Sequence, residues 1–138
     1  MQGVRRTGGD NLYRNLVIQG PRTDINRTDM WMELPEDTVS ARTIVEVHYY
    51  DPFNFCLNDD LSSCTYFWGE PYAQYGQIDD GWQELHVCEQ FEKMKKKFVD
   101  KGIPLVLGEY SAMSRTHPVD SIQEVCHESE GYFTGYVT

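Results

Sequence analysis

Glu109 closes the run Pro104-Leu105-Val106-Leu107-Gly108-Glu109. An apolar run of this kind reads as a buried strand, which puts the carboxylate at the strand's C-terminal tip. That is the end where parallel α/β folds gather their ligand-binding groups. A carboxylate there is costly unless it is hydrogen-bonded or used. An ion-paired strand end and a reacting carboxylate both meet that condition, and the residues alone leave the two open. His48 and Tyr50 follow a second apolar run, Thr43-Ile44-Val45-Glu46-Val47. Two apart on an extended chain, their side chains share a face. A His and a Tyr so placed could orient a nucleophilic carboxylate or contact a substrate hydroxyl. A structural histidine, satisfied by its neighbours, is the plainer alternative.

Other pairings carry less chemistry. His86 and Cys88 lie two apart on a helical pattern and face different ways. Gly8-Gly9-Asp10-Asn11 has neither phosphate-loop spacing nor a strand before it. No Gly-x-Ser-x-Gly and no Cys-x-x-Cys occurs, so neither a serine-hydrolase elbow nor a zinc knuckle is expected. Neither a cofactor nor a metal is called for. Asp59-Asp60 and Asp79-Asp80 read as solvated loop charges, and Asn26-Arg27-Thr28 is a formal glycosylation triplet. Cys56 and Cys64 are close enough in sequence for a disulfide, but free thiols are the default for four scattered cysteines.

The elements that must hold these residues follow from periodicity. Strands are expected at Leu16–Gly20, Thr43–Tyr50 and Pro104–Tyr110, parallel and adjacent, rich in β-branched and aliphatic residues. Between the last two, Leu85, Cys88, Phe91, Met94 and Phe98 form a helical stripe. Glu89, Glu92, Lys93, Lys96 and Lys97 take its other face, and Gly102 stands where a C′ glycine belongs. A short helix fits Asp24 to Met32. Another starts at Ser121, where Ser121-x-x-Glu124 has the form of a capping box. Its stripe would be Ile122, Val125, Cys126, Phe133 and Tyr136. Alternating strands and helices define an α/β class.

Composition narrows the partners. The 138 residues carry 22 acidic against 12 basic side chains, a net charge of −10. That disfavours nucleic acid and anionic membrane. No apolar stretch reaches the roughly 18–20 residues of a membrane helix, and Met1–Asp10 lacks the apolar core of a signal peptide. Tyr49 to Trp82 holds ten of the 18 aromatic residues without a strong helix or strand signal. So long a loop at a strand exit suits ligand binding, on sugar rings or a peptide, or else forms its own hydrophobic cluster.

Taken in order, several segments resemble glycoside hydrolase family five, in its bacterial endoglucanase branch. They are Arg6-Thr7-Gly8-Gly9-Asp10-Asn11, Arg14 to Gly20, Val45-Glu46-Val47-His48-Tyr49-Tyr50-Asp51-Pro52, Trp68-Gly69, and Gly102-Ile103-Pro104 through Gly108-Glu109-Tyr110. Ser114 to Ser129 fits less well. The resemblance implies a retaining endo-β-1,4-glucanase built on a (β/α)8 barrel. Glu109 would be the nucleophile on strand seven, with His48 and Tyr50 on strand six and Tyr50 hydrogen-bonded to the nucleophile. Trp68 would line the glucan cleft. It also implies a β-glucan partner and an extracellular or periplasmic location.

A whole barrel takes about 250 residues, and the family's strand-four Asn-Glu, its general acid/base, does not occur here. The expectation is therefore residues 1–138 as one piece of a catalytic domain, a partial TIM barrel of about strands five to seven with their helices. Alone, such a piece would be inactive. Val17, Val45, Val47 and Val106 would be left to face water or a second copy, inviting self-association through the open barrel face. The alternative is a non-catalytic carbohydrate-binding or assembly fragment.

Overall fold

A computed structural model describes all 138 residues. They form two compact units, Met1–His48 with Gln90–Glu109, and Tyr49–Glu89 with Tyr110–Thr138. The first unit is built on a three-stranded sheet of β1 (Leu16–Asp24), β2 (Thr43–Tyr49) and β3 (Leu105–Tyr110), in that order across the sheet. The strands are parallel, as the α/β reading expects. Leu16 pairs with Thr43, Ile18 with Val45 and Gln19 with Glu46. The Val45 N–H donates to the Pro104 carbonyl (2.9 Å) where β2 meets the start of β3. β1 outruns its expected end at Gly20. Arg22 and Thr23 adopt left-handed backbone, after which Asp24 pairs again, with His48.

Alternation along β2 divides the sheet into two faces. Val45, Val47 and Tyr49 are buried, while Glu46 and His48 lie half-buried on the opposite side. This corrects the expectation that four valines stand uncovered. Val45 and Val47 are 0 and 1% exposed, whereas Val17 and Val106 are 53 and 41% exposed. The register explains the split. Ile18 lies opposite Val45 and Val17 opposite Ile44, so Val17 and Val45 must point to different faces.

Helix α1 (Gln2–Arg6) and helix α2 (Ile25–Trp31) belong to the same unit. The Asp24 carboxylate caps α2 by accepting from the Arg27 N–H (2.7 Å), and α2 packs closely on β1. Its Asn26-Arg27-Thr28 triplet is no open loop sequon: Thr28 is fully buried and Asn26 Oδ1 accepts from Lys93 Nζ (2.8 Å). The N-terminal segment is stapled by Arg5. Its guanidinium forms a two-pronged pair with Asp37 (3.0 and 2.6 Å) and donates to the Asn11 and Arg14 carbonyls (2.8 and 2.7 Å). That pairing holds the Asp37 carboxyl below its ordinary range.

After β2 come helices α3 (Phe53–Cys56), α4 (Glu84–Lys97) and α5 (Gln123–Val137). None is long and apolar enough to cross a membrane. On α4 the buried face is Val87, Gln90 and Met94, continued by Phe98 just past its end, while Leu85 and Cys88 are exposed. The expected stripe starts on the wrong residues because a glutamine occupies a core position that apolar counting skips. Lys93 and Lys97 reach α2, at Asn26 and at the Asp29 carbonyl, instead of ending in solvent. Gly102 does take the left-handed conformation expected of it. Helix α5 begins at Gln123, after a 3-10 turn over Asp120–Ile122, and Ser121 makes no cap. Its buried face is Cys126, Ser129, Phe133 and Val137, with Gly131 and Gly135 on the exposed side.

Two glycines make opposite predictions. A Cβ at Gly20 would sit 1.9 Å from Thr28 Oγ1, so Gly20→Ala should cost about 1–3 kcal/mol. At Gly131 a Cβ meets nothing within 4 Å, and Gly131→Ala in a helix interior should add roughly 0.5–1 kcal/mol. Urea midpoints of the two variants that move in the same direction would contradict this packing.

A third expectation concerns acid. A carboxyl lowered in the native state stabilises the fold above its unfolded value of about 3.9 and loses that contribution as pH falls through the lowered native value. Stability should therefore drop below about pH 4, and Asp37→Asn should remove that part of the drop. An unchanged pH profile in the variant would show that the Arg5–Asp37 pair is not its source.

Candidate active site

The first unit brings two of the expected residues together at the C-terminal tips of β2 and β3. His48 Nδ1 lies 3.2 Å from Glu109 Oε2. The Glu109 side chain is 59% exposed, the His48 ring 15%. A carboxylate presented to solvent at a strand tip, with an imidazole on one oxygen, can attack an electrophile or stabilise a developing cation. Tyr50, half-buried, stands one residue past the end of β2, in the second unit.

Glu46 joins this group without having been expected. Its Oε1 is 3.1 Å from His48 Nε2 and accepts from Gln19 Nε2 at 3.3 Å. The signal was present: Glu46 precedes His48 by the same two residues that separate His48 from Tyr50. Across the chain no group of three or more His, Cys, Asp or Glu is arranged to hold a metal ion.

The second unit corrects the expectation for Trp68. Its side chain is fully buried and so does not line an open glucan cleft. The indole N–H donates to the Trp82 carbonyl (2.9 Å), and the ring meets Phe133 edge-on at 5.1 Å. Ser129 Oγ accepts from the Trp68 N–H (2.7 Å) and donates to its carbonyl (2.9 Å). Gly69 follows with φ 97°, and a Cβ there would fall 2.7 Å from the Tyr132 ring. Tyr49, Phe55, Phe67 and Trp68, four of the loop's ten aromatic residues, are buried, and Tyr49, Phe55 and Trp68 gather around buried Phe133 as a hydrophobic cluster. Phe53, Tyr75 and Trp82 are the large rings of this loop that remain exposed.

Polar side chains hold that loop's backbone. Buried Arg115 donates to the carbonyls of Asn54, Phe55, Asn58, Thr65 and Met113, at 2.5 to 3.5 Å. Asp79 accepts from Asn54 Nδ2 and Thr65 Oγ1, both at 3.2 Å. Asp60 accepts from Ser62 and Ser63, which hold its carboxyl below the ordinary range. Asp60 and Asp79 are therefore turn-building acceptors, not merely solvated charges. All four cysteines are free thiols; burial raises Cys56, and raises Cys126 to about 11.

A parallel α/β sheet with a carboxylate at a strand tip serves many unrelated chemistries, and it is comparison with known proteins that gives the class. Residues 1–137 match the family model for cellulase, glycosyl hydrolase family 5, and the chain belongs to that family. It is 29% identical over 134 residues to a xyloglucan-specific endo-β-1,4-glucanase of Bacteroides ovatus, covering 97% of this chain and 26% of that protein. Endoglucanase A of Paenibacillus barcinonensis is 29% identical over 123 residues, covering 82% of this chain and 30% of its own length. The chain thus spans between a quarter and a third of these relatives.

Solved structures agree. The Bacteroides ovatus family 5 xyloglucanase, in complex with an XXXG heptasaccharide, superposes with a TM-score of 0.89 at 29% identity, over 97% of this chain and 29% of that one. A xyloglucan-specific β-1,4-glucanase from a ruminal metagenomic library, in complex with XXLG, gives 0.81 at 38% identity, over 99% and 36%.

Arg115 supplies the prediction of this section. Arg115→Met keeps the bulk and strands several buried carbonyls, which should cost about 3 kcal/mol or more. A urea midpoint equal to that of the wild type would show that those carbonyls find other donors.

Proposed function

We propose that residues 1–138 are part of the catalytic domain of a retaining endo-β-1,4-glucanase, carrying about strands five to seven of its barrel. Glu109 is the nucleophile. The observation that carries this reading is the exposed Glu109 carboxylate at a parallel strand tip with His48 Nδ1 on one oxygen, in a family 5 chain. Glu109 attacks the anomeric carbon, the glycosidic C–O bond breaks, and the electron pair leaves with the aglycone oxygen.

Retaining hydrolysis needs a second carboxyl about 5–5.5 Å away to protonate that oxygen. Glu46 is engaged with His48 and Gln19 and does not serve. The acid/base must come from outside these residues, and without it rates fall about 100- to 10,000-fold. The relatives' names point to a β-1,4-glucan backbone, xyloglucan included, as substrate. A polymer of that size is met outside the cytoplasm, extracellularly or in the periplasm. The exposed Val17 and Val106 mark the sheet face through which further barrel strands, or a second copy, would pack.

A substrate that needs no protonation isolates Glu109. With 2,4-dinitrophenyl β-cellobioside, the chain should release one equivalent of dinitrophenolate and leave a cellobiosyl adduct on Glu109, detectable by peptide mass. Carboxymethyl cellulose should not be cleaved. Release persisting unchanged in Glu109→Gln would overturn the assignment.

A further inference from the structure

We propose that Glu46 is a positioning residue: it acts through His48 to fix which face of the imidazole meets Glu109. The proposal rests on the reading of Glu109 as nucleophile. The two ring nitrogens of a histidine point in nearly opposite directions, and the hydrogen bond at one sets the proton and orientation at the other. Here Nε2 faces Glu46 Oε1 at 3.1 Å and Nδ1 faces Glu109 Oε2 at 3.2 Å. An ionised carboxylate only accepts, so each contact is made by an N–H, Nε2–H to Glu46 and Nδ1–H to Glu109. Turning the ring over would put carbon where each nitrogen now stands and break both contacts. With Glu46 in place, the ring has one orientation.

The carboxylate is itself built into the sheet by all three strands. From β1, Gln19 Nε2 donates to the same Oε1 that meets His48. From β3, Gly108 leaves the space that Glu46 occupies: a Cβ at that position would lie 2.2 Å from Glu46 Oε1 and 2.8 Å from its Cγ and Cδ. The Glu46 side chain is only 20% exposed, and His48 is its sole ion-pair partner. A carboxylate kept largely from water without a lysine or arginine is costly to the fold. It is accounted for by a role at His48.

Two measurements on the 138-residue chain test this. The first is the two-bond 1H–15N spectrum of His48 in labelled protein. The wild type should show an N–H at both Nε2 and Nδ1 and a single ring state. Glu46→Ala should shift the Nε2 resonance and free the ring to turn over, while Nδ1 keeps its N–H towards Glu109; Glu46→Gln, which keeps an acceptor oxygen, should stay near the wild type. Gly108→Ala, which pushes the carboxylate aside without removing it, should reproduce the alanine spectrum, so the test survives if Glu46→Ala fails to fold.

The second is the single-turnover rate with 2,4-dinitrophenyl β-cellobioside. Glu46→Ala should lower the maximal rate about 10- to 100-fold, the scale of lost support behind a reacting group, with half-saturation unchanged. It should cost nothing further in a His48→Ala background. An unaltered His48 spectrum in Glu46→Ala and Gly108→Ala, or a rate loss undiminished without His48, would overturn the proposal. If Glu109→Gln keeps the wild-type rate, the nucleophile reading falls, and the spectrum still decides whether Glu46 sets the His48 ring.

Discussion

The two-residue alternation of β2 is the constraint on which the site depends. Val45, Val47 and Tyr49 are packed into the interior, and this forces Glu46 and His48 onto the other face. Slipping β2 by one residue would bury an acid and an imidazole and bring the valines out. Full burial of a valine is worth roughly 1.5–3 kcal/mol, and stranding a polar group costs a comparable amount. The geometry at Glu109 is therefore enforced from behind, by apolar packing that never touches a ligand. The parallel register then fixes which residues of β1 and β3 flank it: Gln19 beside Glu46 on one side, Gly108 under it on the other.

The second unit solves a different problem. A segment of more than thirty residues without a strand ladder has carbonyls that need donors. Arg115 meets four of them from a single side chain, and Asp60 and Asp79 accept from the hydroxyls and amides of the same turns. Its buried aromatic residues are the core around which this backbone wraps. Trp68 shows the division well: its ring packs on Phe133, while its backbone N–H and carbonyl share Ser129 Oγ and its indole N–H finds a carbonyl. A ring so placed shapes the loop from within.

Family membership and these two units answer separate questions. The family match gives the class of protein to which the chain belongs. The sheet shows why Glu109 and His48 meet, with Glu46 held behind them by His48, Gln19 and the space above Gly108.

Much of this was legible in one dimension. The three parallel strands, the short helix between Asp24 and Met32, the helix before Gly102, and the placing of Glu109 and His48 at strand tips all follow from period, propensity and turn signals, which act over a few neighbouring residues. What tertiary structure decided is which surface each element turns inward. Gln90 is in the core and Leu85 is out, Ser121 makes no cap, Trp68 is buried, and Val17 and Val45 part company. Glu46 lies with them, visible as a spacing but meaningful only once Gln19, His48 and Gly108 stand around it. Burial and hydrogen bonding depend on partners distant in sequence, and a periodic pattern records that a face exists without recording what it meets.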